Sequence, residues 1–182
     1  MKRIFALVLM LVSVACFAQA ESAAPTYDLC TISGKATITL TTDYAPLYIA
    51  QDAEQALLND LGFARVCISA DELAPCVLSV AKSELADGMS LAEMGQEGID
   101  ALIALVSEQF DHPEIKTGKL GEHTYIAMMM YGDTGDAHSV FTIVNGYFVQ
   151  LDQYHEDFSD MDSTDGDFAK AVLAGLGVKP VQ

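Results

Sequence analysis

Ser139-Val140-Phe141-Thr142-Ile143-Val144-Asn145-Gly146-Tyr147-Phe148-Val149-Gln150-Leu151-Asp152 is the stretch that decides the fold. β-Branched and aromatic residues crowd both sides of Asn145-Gly146, and such side chains suit a pleated, half-buried surface. The dipeptide is the strongest short hairpin signal, because both central residues of a type I′ turn need positive φ. A two-residue turn also sets the register. It places Val144 opposite Tyr147, Ile143 opposite Phe148 and Thr142 opposite Val149. Upstream, Glu114 to Leu120 and His123 to Tyr131 read as two further strands turned at Gly121, so a meander runs through this half of the chain. Gly132 to Asp136 reads as a loop.

Three more strands are expected nearer the N-terminus: Lys35 to Thr42, which Tyr44-Ala45-Pro46 breaks, then Ala64 to Ser69 and Cys76 to Lys82. Gln51 to Leu61 reads as a short helix stopped at Gly62. Leu91 to Phe110 reads as the main helix, with Leu91, Met94, Ile99, Leu102, Ile103, Val106 and Phe110 forming one apolar stripe. Ser90 and Glu93 have capping-box spacing, and Met89 and Met94 are placed for a hydrophobic staple. Gly95 and Gly98 weaken this helix by about 1 kcal/mol each, and they leave room for a strand to approach. Asp111-His112-Pro113 ends it. Asp165 to Leu176 reads as a closing helix with Phe168, Val172, Leu173 and Leu176 inward; Thr164 caps it, and Gly177 and Pro180 lie beyond. The expected fold class is α+β: a mostly antiparallel sheet flanked by a long central helix and a C-terminal helix, an α/β/α sandwich.

The start of the chain carries an address. Lys2 and Arg3 precede an apolar run from Ile4 to Val14, and Ala18-Gln19-Ala20 has the small-x-small pattern of a signal peptidase site. The expected organisation is a signal peptide over 1–20, an irregular lead-in over 21–33 and one α+β domain over 34–182. Export to the periplasm or outside the cell follows. A lipoprotein attached through Cys16 is the alternative, with Ser13 where leucine is usual. The apolar run is too short to span a bilayer comfortably, and nothing later is apolar enough.

Charge excludes two partner classes. The 182 residues hold 26 acidic and nine basic side chains. Removal of 1–20 takes Lys2 and Arg3 and no acid. A surface so negative repels phosphate backbones and anionic headgroups, so neither nucleic acid nor a membrane surface is an expected partner. A protein or small-molecule partner remains.

Of the cysteines, Cys30, Cys67 and Cys76 follow residue 20. Cys67 and Cys76 flank a turn-like segment and are the expected disulfide, with Cys30 outside it; a loop that short yields roughly 2.5–3 kcal/mol. No C-x-x-C spacing exists, so a redox centre or zinc site has no support.

One segment invites a metal. Asp160, Asp162, Asp165 and Asp167 place carboxylates that can wrap calcium, and His155 can add to them. Counted from Asp160, however, an EF-hand loop needs glycine where Asp165 stands and glutamate where Ala171 stands. A solvated turn capping the last helix is the simpler reading, and no cofactor is expected. His112, His123, His138 and His155 show no i, i+4 pairing. Met128-Met129-Met130 alternates faces on a strand, so the three thioethers cannot share one copper ion. Ser139 beside His138 and Asp136 is proximity along the chain only, and G-x-S-x-G is absent. No catalytic residue is named.

The element order resembles that of the photosystem II extrinsic protein PsbP and the bacterial lipoprotein DcrB. The likeness is carried by Val77-Leu78-Ser79-Val80, the capped helix, Lys119-Leu120-Gly121 leading into His123-Thr124-Tyr125-Ile126-Ala127, the Val144 to Leu151 hairpin and the last helix. It spans most of 35–177. The resemblance implies an α/β/α sandwich and a small accessory or binding protein without catalysis of its own; no site motif is matched, so no functional residue carries over. The expected function is thus an exported, non-enzymatic accessory or binding protein of the cell envelope. A calcium-binding module built on 160–167 and a hydrolase with an unrecognised site are the alternatives.

Overall fold

The Asn145-Gly146 turn forms as its chemistry demands, with φ of 48° at Asn145 and 82° at Gly146. A computed structural model describes residues 23–32, 34–70, 73, 75–108, 114–130, 137–154 and 164–181. In chain order the elements are β1 (Thr26–Ile32), β2 (Ala36–Thr41), β3 (Leu47–Gln51), α1 (Gln55–Asp60), β4 (Phe63–Ala70), β5 (Cys76–Lys82), α2 (Leu91–Ser107), β6 (Glu114–Leu120), β7 (His123–Met130), β8 (Ala137–Val144), β9 (Tyr147–Tyr154), α3 (Thr164–Ala174) and β10 (Leu176–Pro180). The β8–β9 register pairs Val144 with Tyr147, Ile143 with Phe148 and Thr142 with Val149, as the turn dictates.

Two antiparallel sheets result. The large one runs β3-β4-β5-β9-β8-β7-β6, and the small one runs β1-β2-β10. Alternation decides which side chains each face buries. Ile126, Met128, Phe141 and Ile143 on one face of the large sheet meet Leu91, Leu102 and Val106 of α2. On the other face Val66, Ile68, Leu78, Val80, Val149 and Leu151 pack against Leu29, Ile38 and Leu40 of the small sheet and against Phe168, Val172 and Leu173 of α3. Each such side chain contributes about 1.5–3 kcal/mol on leaving water.

This corrects the expected fold class. The protein is mostly β, with ten strands among the described residues, and it is not a helix-flanked α/β/α sandwich. A second sheet, with α3 beside it, covers the face that an outer helical layer was expected to cover. The long central helix is corrected as well. Gly95 takes φ 64° and ψ −155°, which breaks α2 after its first turn. A Cβ on Gly98 would meet Met94 rather than an approaching strand, because that break swings Met94 across the next turn.

Three strands escaped the sequence reading. β1 lies inside the expected irregular lead-in; its pairing to β2 skips a residue between Asp28 and Cys30, so Leu29 and Cys30 are both buried and the alternation that signals a strand is lost. β3 follows directly on the break at Pro46. β10 holds Gly177 and Pro180, which read as stop signals along the chain but fit an edge strand whose last residue needs no ladder donor.

The expected Cys67–Cys76 disulfide is also corrected: Cys30, Cys67 and Cys76 are all free thiols. Cys67 pairs with Val77, whereas Cys76 pairs with Ile68. Residues one position apart on a strand point to opposite faces, so Cys76 enters the core with Ile68 while Cys67 points to the other side. Burial pushes the Cys30 thiol from 9.0 up to about 12 by desolvation. An unfolded chain loses that proton near pH 9 and the folded chain keeps it to about 12. The stabilisation is therefore complete below pH 9 and is lost as pH rises toward 12. Denaturant titrations should show stability falling over that window, with a shallower fall in Cys30→Ala. A maleimide probe at pH 8 should label Cys67 well before Cys30; equal labelling rates would contradict the burial.

Candidate functional site

A concave region lies where the two sheets meet the start of α2. A cleft of about 610 Å³ is walled by Thr41, by Ser90, Ala92 and Glu93, by Gly121 to His123, by Val144-Asn145 and by Ala174 to Gly177. Separate chain segments build it, and the bonds that hold them are ones the local sequence makes possible. Asn145 N–H donates to Ser90 Oγ at 3.1 Å, and Ser90 Oγ donates to Asn145 Oδ1 at 3.1 Å. Glu93 Oε2 accepts the Ser90 N–H at 2.7 Å, which satisfies a donor that the helix start leaves open. The hairpin tip is pinned from the other side: Gly146 N–H donates to the Met89 carbonyl at 2.8 Å and the Gly146 carbonyl accepts from Ser83 N–H at 2.9 Å.

His123 lies 3.0 Å, through Nε2, from the Leu176 carbonyl. A carbonyl only accepts, so Nε2–H is the donor in this contact. The carboxylates of Glu93 and Glu122 are exposed on the cleft wall, and among the described residues no lysine or arginine lines it. The floor is backbone-rich at Thr41 and Gly175, where Thr41 N–H donates to the Gly175 carbonyl at 2.8 Å. A smaller cleft of about 370 Å³ shares Thr41, Ala174 and Gly175 and is lined on another side by Tyr44. Tyr44 stands edge-on to Phe168 with ring centroids 5.1 Å apart.

A second polar group sits inside the large sheet. On the face that carries α2, Ser139 Oγ donates to Asp152 Oδ1 at 2.5 Å, and Gln150 Nε2 donates to both Asp152 oxygens at 2.8 and 3.0 Å. Next to them Arg65 Nε donates to Ser79 Oγ at 3.4 Å. Ser139 has no exposed surface, so no substrate reaches its hydroxyl, and its partner is the cross-strand Asp152 rather than a residue beside it in sequence. These bonds satisfy polar atoms that would otherwise each cost about 1–3 kcal/mol on burial.

The candidate metal ligands fall only partly within the described residues. His155, Asp160 and Asp162 lie outside the described residues. Asp165 falls in the first turn of α3. Asp167 is exposed and pairs with Lys170 at 3.6 Å. Among the described residues no three His, Cys, Asp or Glu side chains come close enough to hold an ion. The cleft residues carried no chemical motif along the chain. Asn145 was legible only as a turn residue, and Thr41 with Gly175 enters the site because β2 pairs with β10.

No family model matches the chain, and no curated protein shows significant similarity to it. Among solved structures, a crystal structure from Bacteroides thetaiotaomicron is similar, with TM-score 0.49 and 12% identity over 87% of this chain. The match takes in 49% of that chain, so this protein spans about half the length of its structural neighbour. No helix among the described residues is long and apolar enough to cross a membrane.

Proposed function

We propose that this chain is an exported, non-enzymatic binding protein of the cell envelope that takes a small, cation-bearing polar ligand in the cleft between its sheets. The observation that carries the reading is that the cleft's polar groups are set before any ligand arrives. The Ser90–Asn145 pair, the Glu93 cap and the His123–Leu176 bond hold the wall from four chain segments. A preformed concavity with a few fixed polar groups is what small-molecule sites usually are, and pre-ordering lowers the cost of binding. Two exposed carboxylates, with no lysine or arginine beside them among the described lining residues, favour a ligand that brings positive charge, such as a diamine or a basic amino acid. Export rests on the leader-like residues 1–20.

The test uses protein recovered from the cell envelope. Its intact mass should begin at Glu21, and a mass that retains residues 1–20 or carries a lipid on Cys16 would contradict cleavage after Ala20. The same material is then melted against diamines, basic amino acids and calcium. A true ligand at about 100 times Kd adds roughly 2.7 kcal/mol, a rise on the order of 5–10 °C for a domain of this size. Glu122→Gln with His123→Ala should remove that rise. A shift that survives both changes, or one given only by calcium and lost in Asp162→Ala, would move the site away from the cleft.

A further inference from the structure

Sheet edges are dangerous because they expose unpaired backbone groups, and proteins usually blunt them with charge or proline. Among the described residues, three of the four sheet edges are blunted. β6 carries Glu114, Lys116 and Lys119; β1 carries Asp28; β10 ends in Lys179-Pro180. β3 is different. It ends the strand order of the large sheet, and its sequence Leu47-Tyr48-Ile49-Ala50-Gln51 contains no charge and no proline. Tyr48 is 54% exposed on it. The connection from β3 to β4 adds Leu57 in α1 and Leu61 just after it, 57% and 73% exposed. Leu47 and Ile49 pack against the core, while Tyr48, Ala50 and Gln51 are left exposed and uncharged.

We propose that β3 is a docking edge, which an extended peptide segment of another protein joins as an eighth strand. Charge names the kind of segment. Exposed Asp43 stands before β3, and Asp52 and Glu54 follow it. An apolar strand with acids at both ends fits a peptide of about five alternating apolar residues with lysine or arginine at each end. The same acidity disfavours a second copy of this chain, whose net charge of −17 would bring like rims together. This inference stands apart from the cleft, which lies where β2, β10 and the α2 start meet.

The probe is a fluorescein-labelled synthetic peptide of alternating valine and threonine with two lysines at each end, read by anisotropy against the intact protein. Binding should weaken as salt rises, since the exposed rim is screened beyond about 10 Å at 0.1 M. Ala50→Lys, which puts an edge lysine where there is none, should weaken it at least about tenfold. Asp43→Asn with Glu54→Gln should weaken it less and flatten the salt dependence. Thr117→Lys on the β6 edge should change nothing, and circular dichroism of each variant confirms that it is folded. The proposal is overturned if the peptide does not bind, if Ala50→Lys binds as well as the parent, or if a peptide with glutamates in place of lysines binds equally. Sedimentation that shows an Ala50-dependent dimer would assign the edge to a second copy and overturn it likewise.

Discussion

Gly175→Ala should lower the melting temperature by roughly 4–15 °C, the amount that about 2–4 kcal/mol removes from a domain of this length. The glycine links α3 to β10 and crosses β2 at closest approach. A Cβ there would overlap the Thr41 carbonyl oxygen and come within 3.0 Å of Leu40 Cδ1. One obstacle is backbone, so no rotamer change relieves it. Either β2 moves or the Thr41–Gly175 hydrogen bond of 2.8 Å is lost. Overpacking costs about 1–3 kcal/mol and a lost buried bond about 1 kcal/mol more. Gly34→Ala is the control. Gly34 has φ +64° with nothing within 4 Å of the place an added methyl would take, so only backbone strain of about 1–2 kcal/mol is expected. Equal destabilisation by the two changes would show that the close approach is not what Gly175 serves. Because Gly175 floors both clefts, Gly175→Ala should also weaken any ligand held there.

Gly146→Ala is the second large effect, at about 2–4 kcal/mol. Its φ of 82° costs an alanine about 1–2 kcal/mol, and the added methyl would lie 2.7 Å from the Gly88 Cα. The loss should be more than a loosened hairpin. The Gly146 backbone binds both Met89 and Ser83, so a displaced turn releases the segment leading into α2. Hydrogen exchange should therefore accelerate across residues 83–90 as well as at the turn. Acceleration confined to the turn would mean that the hairpin and the α2 lead-in are held independently.

These two glycines mark the boundary between what the chain announces and what the fold decides. Asn145-Gly146 needs positive φ from its own residues and sets the β8–β9 register with no help from elsewhere. The meander from β6 to β9 is legible for the same reason, because alternation and short turns are local properties. The Ser90–Glu93 spacing likewise announces where α2 begins. Gly175 announces nothing, since its requirement comes from Thr41, a residue remote in sequence that β2–β10 pairing brings alongside. The same holds for β1, whose bulge hides its alternation, and for β10, whose glycine and proline are permitted only because it is an edge.

The site divides in the same way. Glu122, His123, Ser90 and Asn145 are ordinary turn and cap residues along the chain, and they become one wall only when distant segments converge. Cys67 and Cys76 are close in sequence and in space, yet strand pleating sends them to opposite faces. The sequence by itself determined the hairpin, the register of its strands, the helix start at Ser90 and the strongly acidic surface, because each follows from local backbone preference or from simple charge. Only the tertiary structure decided that a second sheet covers the first, that the cleft exists and that β3 is left as the uncharged edge, because burial and strand order depend on which distant segments pack together.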